Sequence, residues 1–231
     1  MTSNTDRNSR PALAALLCLS CVTGAVPLVA PIAGCAGTSI AVKERLGYAK
    51  REQLVDEVKE ARDEQHQAKA QFATTLEEFK ALTGYDGGEL EKAYNKLKKQ
   101  LDRSRSQADD VRGKIKSVER IATAMFREWE QELTAYQSDT LRTASAEQLQ
   151  LTRTRYNQLL DAMKSAESRM DPVLGAFNDQ VLFLKHNLNA RAIASLESTV
   201  TELEGEIARL IDEMNASIDE ANAFIEGMSG A

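Results

Sequence analysis

Between Leu90 and Tyr136 one side of the chain repeats at alternating steps of four and three. The positions are Leu90, Tyr94, Leu97, Leu101, Ser104, Ala108, Val111, Ile115, Val118, Ala122, Met125, Trp129, Glu132 and Tyr136. A helix that must keep one seam against other helices needs this spacing, because an average step of about 3.5 residues holds the seam in line. At about 1.5 Å per residue, residues 89–137 would span about 70 Å, longer than a compact domain. The first expectation is therefore a rod of helices. Composition supports it: 12 Gly, 4 Pro and 5% aromatic residues in 231 give too few turn formers for a sandwich or barrel. A hydrophobic content of 42% excludes a wholly disordered chain.

The neighbouring segments read the same way. Leu46, Ala49, Val55, Val58, Ala61, Ala68, Phe72, Leu76 and Phe79 have helical spacing, interrupted at Gln65 and Lys69, and predict a helix over 43–82. Gly84-Tyr85-Asp86-Gly87-Gly88 is a turn, since its glycines tolerate positive φ and Asp86 accepts from nearby amides. Asp86 and Glu89 lack the other positions of a calcium loop. After a break at 137–140, with Ser138 or Asp139 as cap, the stripe resumes at Leu141, Leu149, Tyr156, Leu159, Met163, Ala166 and Met170. Pro172 stands next; it suits either the first turn of a new helix or a kink in a continuous one. Val173, Phe177, Val181, Leu184 and Leu188 follow, and Val181-Leu182-Phe183-Leu184 is apolar on all sides, as expected of a deeply buried or interfacial stretch. The last stripe is Ile193, Leu196, Val200, Leu203, Ile207, Leu210, Met214, Ser217, Ala221, Phe224 and Met228. It predicts helix to about 226, with Gly227 and Gly230 marking the end. The fold class expected for 43–231 is all-α: an elongated antiparallel bundle or coiled coil of three to four long helices.

Charge is unevenly spread. Residues 192–231 hold nine acids and one base, a net of −8, whereas 89–120 hold ten bases and six acids, a net of +4. The expectation is that the C-terminal helix lies against the second helix, or against the second helix of a partner copy; solvated acidic faces are the plainer alternative. The overall charge of −6 argues against a dedicated nucleic-acid binder.

The N-terminal stretch is different in kind. Arg7 and Arg10 precede a run from Pro11 to Gly34 with no ionisable side chain besides Cys18 and Cys21. A charged start, an apolar middle and small residues at the end are the layout of an export signal. The alternative, an uncleaved membrane helix, is weakened by Pro27 and Pro31. The run ends Ile32-Ala33-Gly34-Cys35, which resembles the bacterial lipoprotein signal. That resemblance implies residues 1–34 as signal peptide, Cys35 as the acylated first residue of the mature chain, and 35–42 as a tether. In that pattern Ala36, where an Asp favours inner-membrane retention, implies the outer membrane. A chain cut before Cys35 has no other cysteine, and so no internal disulfide or thiolate metal site.

Catalytic patterns are missing from the sequence. The two histidines, His66 and His186, form no metal pair, and no HExxH, GxSxG or phosphate-binding loop occurs. His66 lies among Glu64, Gln65 and Gln67 and is expected to be solvated, whereas Trp129, on the seam, is expected in the core. No catalytic residue, metal ligand or cofactor-binding residue is assigned, and no cofactor or small-molecule substrate is expected.

Three stretches together carry a resemblance: Ile32-Ala33-Gly34-Cys35, Tyr85-Asp86-Gly87-Gly88-Glu89-Leu90-Glu91, and Pro172 to Leu196, within which Asp179 to Ile193 is the most specific. They resemble the bacterial family of unknown function DUF2959 over about residues 43–227. The resemblance implies a small helical envelope protein with no established activity. Some members carry a label suggesting a DNA-repair ATPase, but this chain lacks the nucleotide motifs that such chemistry needs.

The functional expectation is a non-enzymatic lipoprotein on the periplasmic face of the outer membrane. It would be held to the membrane through Cys35 and act as scaffold, spacer or adaptor toward other envelope proteins or itself. Val181, Phe183, Leu184, His186 and Leu188 are the expected partner contact or dimer seam. The alternatives are a membrane-shaping module resembling BAR domains, using the basic 89–120 segment, and a cytoplasmic coiled-coil factor associated with DNA or an ATPase.

Overall fold

The computed structural model describes residues 49–83, 90–187 and 190–229. Its described part lies within one compact unit, Ala36–Ala231. Among the described residues there are four helices and no strand: α1 Lys50–Thr83, α2 Leu90–Leu133, α3 Asp139–His186 and α4 Ala190–Ser229. The turn expected at 84–88, the start of the helix expected from 43, and Cys35 lie outside the described residues.

Short connections make consecutive helices antiparallel neighbours. α1 packs along α2 and α4, and α3 packs along the same two. The four helices thus form a closed ring with α1/α3 and α2/α4 as its diagonals. This corrects the expected pairing of the C-terminal helix with the second helix of its own chain. The acidic α4 answers instead to α1 and α3, through Lys80–Glu204 at 2.8 Å and Arg169–Glu213 at 3.0 Å. Some bases of α2 are met by α1 and α3, as in Lys96–Glu78 at 2.8 Å and Arg112–Glu167 at 3.5 Å.

The seams meet along one continuous core. Leu97, Leu101, Ala108, Val111, Ile115, Val118 and Ala122 of α2 are buried against Leu159, Met163, Ala166, Met170 and Phe177 of α3, Phe72 and Phe79 of α1, and Leu203, Ile207, Leu210 and Met214 of α4. Phe79 and Phe177 meet edge to face across the α1/α3 diagonal, ring centres 6.1 Å apart, an arrangement that aromatic quadrupoles favour. Gln65, which interrupts the α1 stripe in sequence, is fully buried with the Ser217 hydroxyl donating to its Oε1 at 2.9 Å.

α3 runs unbroken through Pro172. Proline lacks the N–H that would bond the Ser168 carbonyl, but Ser168 and Pro172 lie on the exposed face, so the open carbonyl is not shut into the core. α3 opens at Ser138, whose hydroxyl accepts from the Leu141 N–H at 3.4 Å, the cap anticipated from sequence. α4 continues to Ser229 and so passes through Gly227. That glycine does not end the helix; it makes room, since a Cβ there would lie 2.7 Å from Nη1 of Arg155.

Candidate functional site

The buried seams leave function to the exposed ends and flanks of the bundle. At the end where α3 gives way to α4, Val181 and Leu184 are buried at 5% and 0% exposure, whereas Leu182 and Phe183 are 52% and 43% exposed. Successive helical residues turn by about 100°, so four consecutive apolar residues cannot share a face. The core takes the two that are three apart. The expected contact set therefore divides: Val181 and Leu184 are spent on the molecule's own core, Phe183 and His186 are exposed, and Leu188 lies outside the described residues. Leu182, absent from the expected set, joins the exposed face.

The last turn is closed by Asn187, whose N–H donates to the Leu184 carbonyl at 3.1 Å and whose Nδ2 donates to the Phe183 carbonyl at 2.9 Å. These bonds satisfy carbonyls that a helix end leaves open. Lys185 and His186 sit in the same turn, where the helix dipole favours cations. The outcome is a small exposed face with two large apolar side chains beside basic groups.

The opposite end is built by unequal lengths. α1 begins where Lys50 meets Glu128 of α2 at 2.9 Å, and the Arg51 guanidinium reaches the Met228 carbonyl of α4. α2 and α3 continue beyond that level as a two-helix tip. Leu133, Thr134, Arg142, Thr143, Ala146, Glu147 and Gln150 line an open groove there, of about 800 Å³. Seam positions that lose their third and fourth helix lose their burial: Tyr136 is 37% and Leu141 59% exposed. Trp129, expected in the core, is half-buried, and its indole N–H donates to Ser145 Oγ at 2.9 Å. His66 is exposed, as expected.

Between the ends, cations and carboxylates knit neighbouring helices. Lys114 bonds Glu60 and lies 3.5 Å from Glu57; the Glu60 bond raises its ammonium above the usual lysine range, against the opposing effect of burial. The Glu213 carboxyl is held below the usual range by the Ser165 hydroxyl and then by Arg169. Burial, with a smaller effect of Glu119, pushes the Tyr156 phenol up to about 12. A groove of about 370 Å³ between α2 and α3 is lined by Arg105, Asp109, Arg112, Asp171, Leu174, Gly175 and Asn178. Its cations are already met: Arg105 by Asp102 and Asn178, Arg112 by Asp109, Asp171 and Glu167. Among the described residues no group of three or more His, Cys, Asp or Glu side chains is placed to hold a metal ion. No described helix is long and apolar enough to cross a membrane.

Residues 40–228 match the family model described as "Protein of unknown function (DUF2959)". The chain belongs to this family. No curated protein and no solved structure matches it. The DUF2959 match takes in all of the first three helices and α4 to within one residue of its end. Residues 1–39, with the apolar run from Pro11 to Gly34 and Cys35, lie outside it.

Proposed function

We propose that this DUF2959 protein is a non-enzymatic lipoprotein of the cell envelope, anchored through acylated Cys35 at the periplasmic face of the outer membrane. The bundle acts as a stiff spacer or scaffold. The observation that carries this reading is the placement of Ile32-Ala33-Gly34-Cys35 five residues before the family-matched region begins. An address segment belongs there, outside the fold it delivers.

The geometry fits an anchored rod. α1 starts fifteen residues after Cys35, a tether of at most about 50 Å when fully extended. α3, with 48 residues, is about 72 Å long. Leu182, Phe183 and His186 stand at the end of the rod away from the start of α1. An anchored molecule would offer them there to other envelope proteins. The BAR-like alternative is weakened at Lys96, Arg112 and Lys114 of α2, which are met by carboxylates of the same bundle.

Metabolic labelling with a fatty acid, followed by membrane fractionation, tests the proposal. Wild type takes up label and fractionates with the outer membrane, and Cys35→Ser does neither. An unlabelled wild-type chain with its N-terminus intact in the cytosol would overturn it.

A further inference from the structure

α2 and α4 lie on opposite sides of the bundle, and their outward ridges carry opposite charge. Exposed along α2 are the bases Lys92, Lys99, Arg103, Lys116 and Arg127, with the acid Asp110 among them, and along α4 the acids Glu202, Asp212, Asp219, Glu220 and Glu226. None of these five acids takes part in an ion pair among the described residues, and neither do Lys99, Arg103 or Lys116; Arg103 has only a 3.5 Å bond to Gln100. Arg209 of α4 is held by Glu206.

The ion pairs of α1 fix the relative height of the two ridges. Lys96 of α2 meets Glu78, and two residues along, Lys80 meets Glu204 of α4. Further up, Lys114 of α2 meets Glu60, and Arg62 bonds Asn222 of α4 at 3.1 Å. Because α1 runs antiparallel to both, the two comparisons give one offset: a residue of α2 is level with the residue of α4 numbered 110 higher. α2 and α4 also run in the same direction, being alternate helices of an antiparallel ring. Arg103 is therefore within one residue, about 1.5 Å along the axis, of the height of Asp212, and Lys116 is level with Glu226; between them Asp110 falls level with Glu220, a step of like charge. A second copy displaced sideways without rotation sets the two acids Asp212 and Glu226 against the two bases Arg103 and Lys116. Small side chains lie among the charges, at Ala208, Ala216 and Ala223 on α4 and at Ser106 and Gly113 on α2, all exposed. They permit the 8–10 Å approach of packed helices.

We infer that the molecule associates side by side with further copies of itself, the α4 ridge of one copy seating on the α2 ridge of the next. The two surfaces differ, so the contact is heterologous: each added copy leaves one ridge free, and parallel rods build into an open row. Seating α4 on α4 would oppose acid to acid. The contact requires no lipid and stands or falls independently of Cys35 acylation, although a common membrane would give the copies the shared orientation that the register demands. Exposed charges are screened over about 8 Å at physiological salt, so the row loosens as salt rises.

The test is sedimentation velocity of the full-length protein in mild detergent. At low salt wild type forms species larger than one chain that grow with protein concentration, and raising salt to about 0.5 M lowers the apparent association constant at least tenfold. The double variant Arg103→Glu/Lys116→Glu and the double variant Asp212→Lys/Glu226→Lys each stay single at low salt. Their equal mixture associates again, because each supplies the ridge that the other has lost. Circular dichroism verifies that both variants are folded. The inference is overturned if wild type stays a single chain at low salt, if either reversal leaves association unchanged, or if the mixture of folded variants does not associate.

Discussion

Gln65 offers a quantitative test of how this core balances polarity against packing. The residue is fully buried, its Oε1 accepts from Ser217 Oγ at 2.9 Å, and its Nε2 has no partner. Turning the amide over only exchanges the end that goes unmet. An unmet buried amide group costs about 1–3 kcal/mol, and the bond that is made returns about 0.5–1.5. On balance the pair weakens the bundle by about 1 kcal/mol. Replacing both partners with apolar groups of similar shape, Gln65→Met with Ser217→Ala, is therefore expected to stabilise by about 1 kcal/mol. Ser217→Ala alone strips the amide of its remaining partner and is expected to destabilise by about 1–3 kcal/mol. Gln65→Met alone keeps most of the gain, because the Ser217 hydroxyl can turn back to the carbonyl four residues earlier in its own helix. Urea unfolding of the full-length protein, followed by circular dichroism, measures all four corners of this cycle. If the double variant unfolds at lower urea than wild type with an unchanged slope, the reasoning fails and the polar pair is a net source of stability.

Gly113, Gly175 and Gly205 lie inside helices, and nothing would stand within 4 Å of an added Cβ. Each Gly→Ala change is expected to raise stability by about 0.5–1 kcal/mol in the same urea assay, while Gly227→Ala gains less because Arg155 must first swing aside. Phe177→Ala removes a ring with 0% exposure that packs edge-on against Phe79, and is expected to lose about 3–5 kcal/mol. The Tyr156 phenol is raised from 10.0 to about 12, so its folded state favours the neutral form. The resulting stability is complete below the unfolded value and is lost as pH rises through 10 towards 12. Ultraviolet titration is expected to show a tyrosine ionising near pH 12 that vanishes in Tyr156→Phe, and the variant's stability falls less steeply over that window.

The architecture was legible because its signal is redundant. The α2 seam from Leu97 to Met125 and the α4 seam from Leu203 to Met228 are buried where the spacing put them, since a helix that slips by one residue loses every contact along its length at once. The errors fall where a single residue decides. Glu132, Tyr136 and Leu141 keep the period but not the burial, because periodicity reports a helix's face and says nothing of where its neighbours stop. Gln65 read as an interruption because one sequence does not show that Ser217 arrives opposite it. Within Val181–Leu184 the period does choose Val181 and Leu184 for the core, by their place in the stripe through Phe177. The exposed pair Leu182 and Phe183 was recoverable from the same arithmetic.

The misplaced neighbour of α4 carries a more general lesson. Opposite charge on two helices states that the surfaces attract; it does not state that they belong to one bundle. The connection of α2 to α3 spans only residues 134–138, and that of α3 to α4 only 187–189. Connections so short make each helix pack beside its successor, and a ring of four closed in that order puts α2 and α4 on a diagonal. An exposed ion pair contributes about 0–1 kcal/mol, far less than the burial that such a rearranged ring would forfeit. The most acidic and the most basic faces are thus kept apart by topology within the molecule, at matched heights and pointing in opposite directions. A complementarity that cannot close within one molecule is left open to the next copy, and the topology that keeps α2 and α4 apart is the geometry on which the proposed row rests.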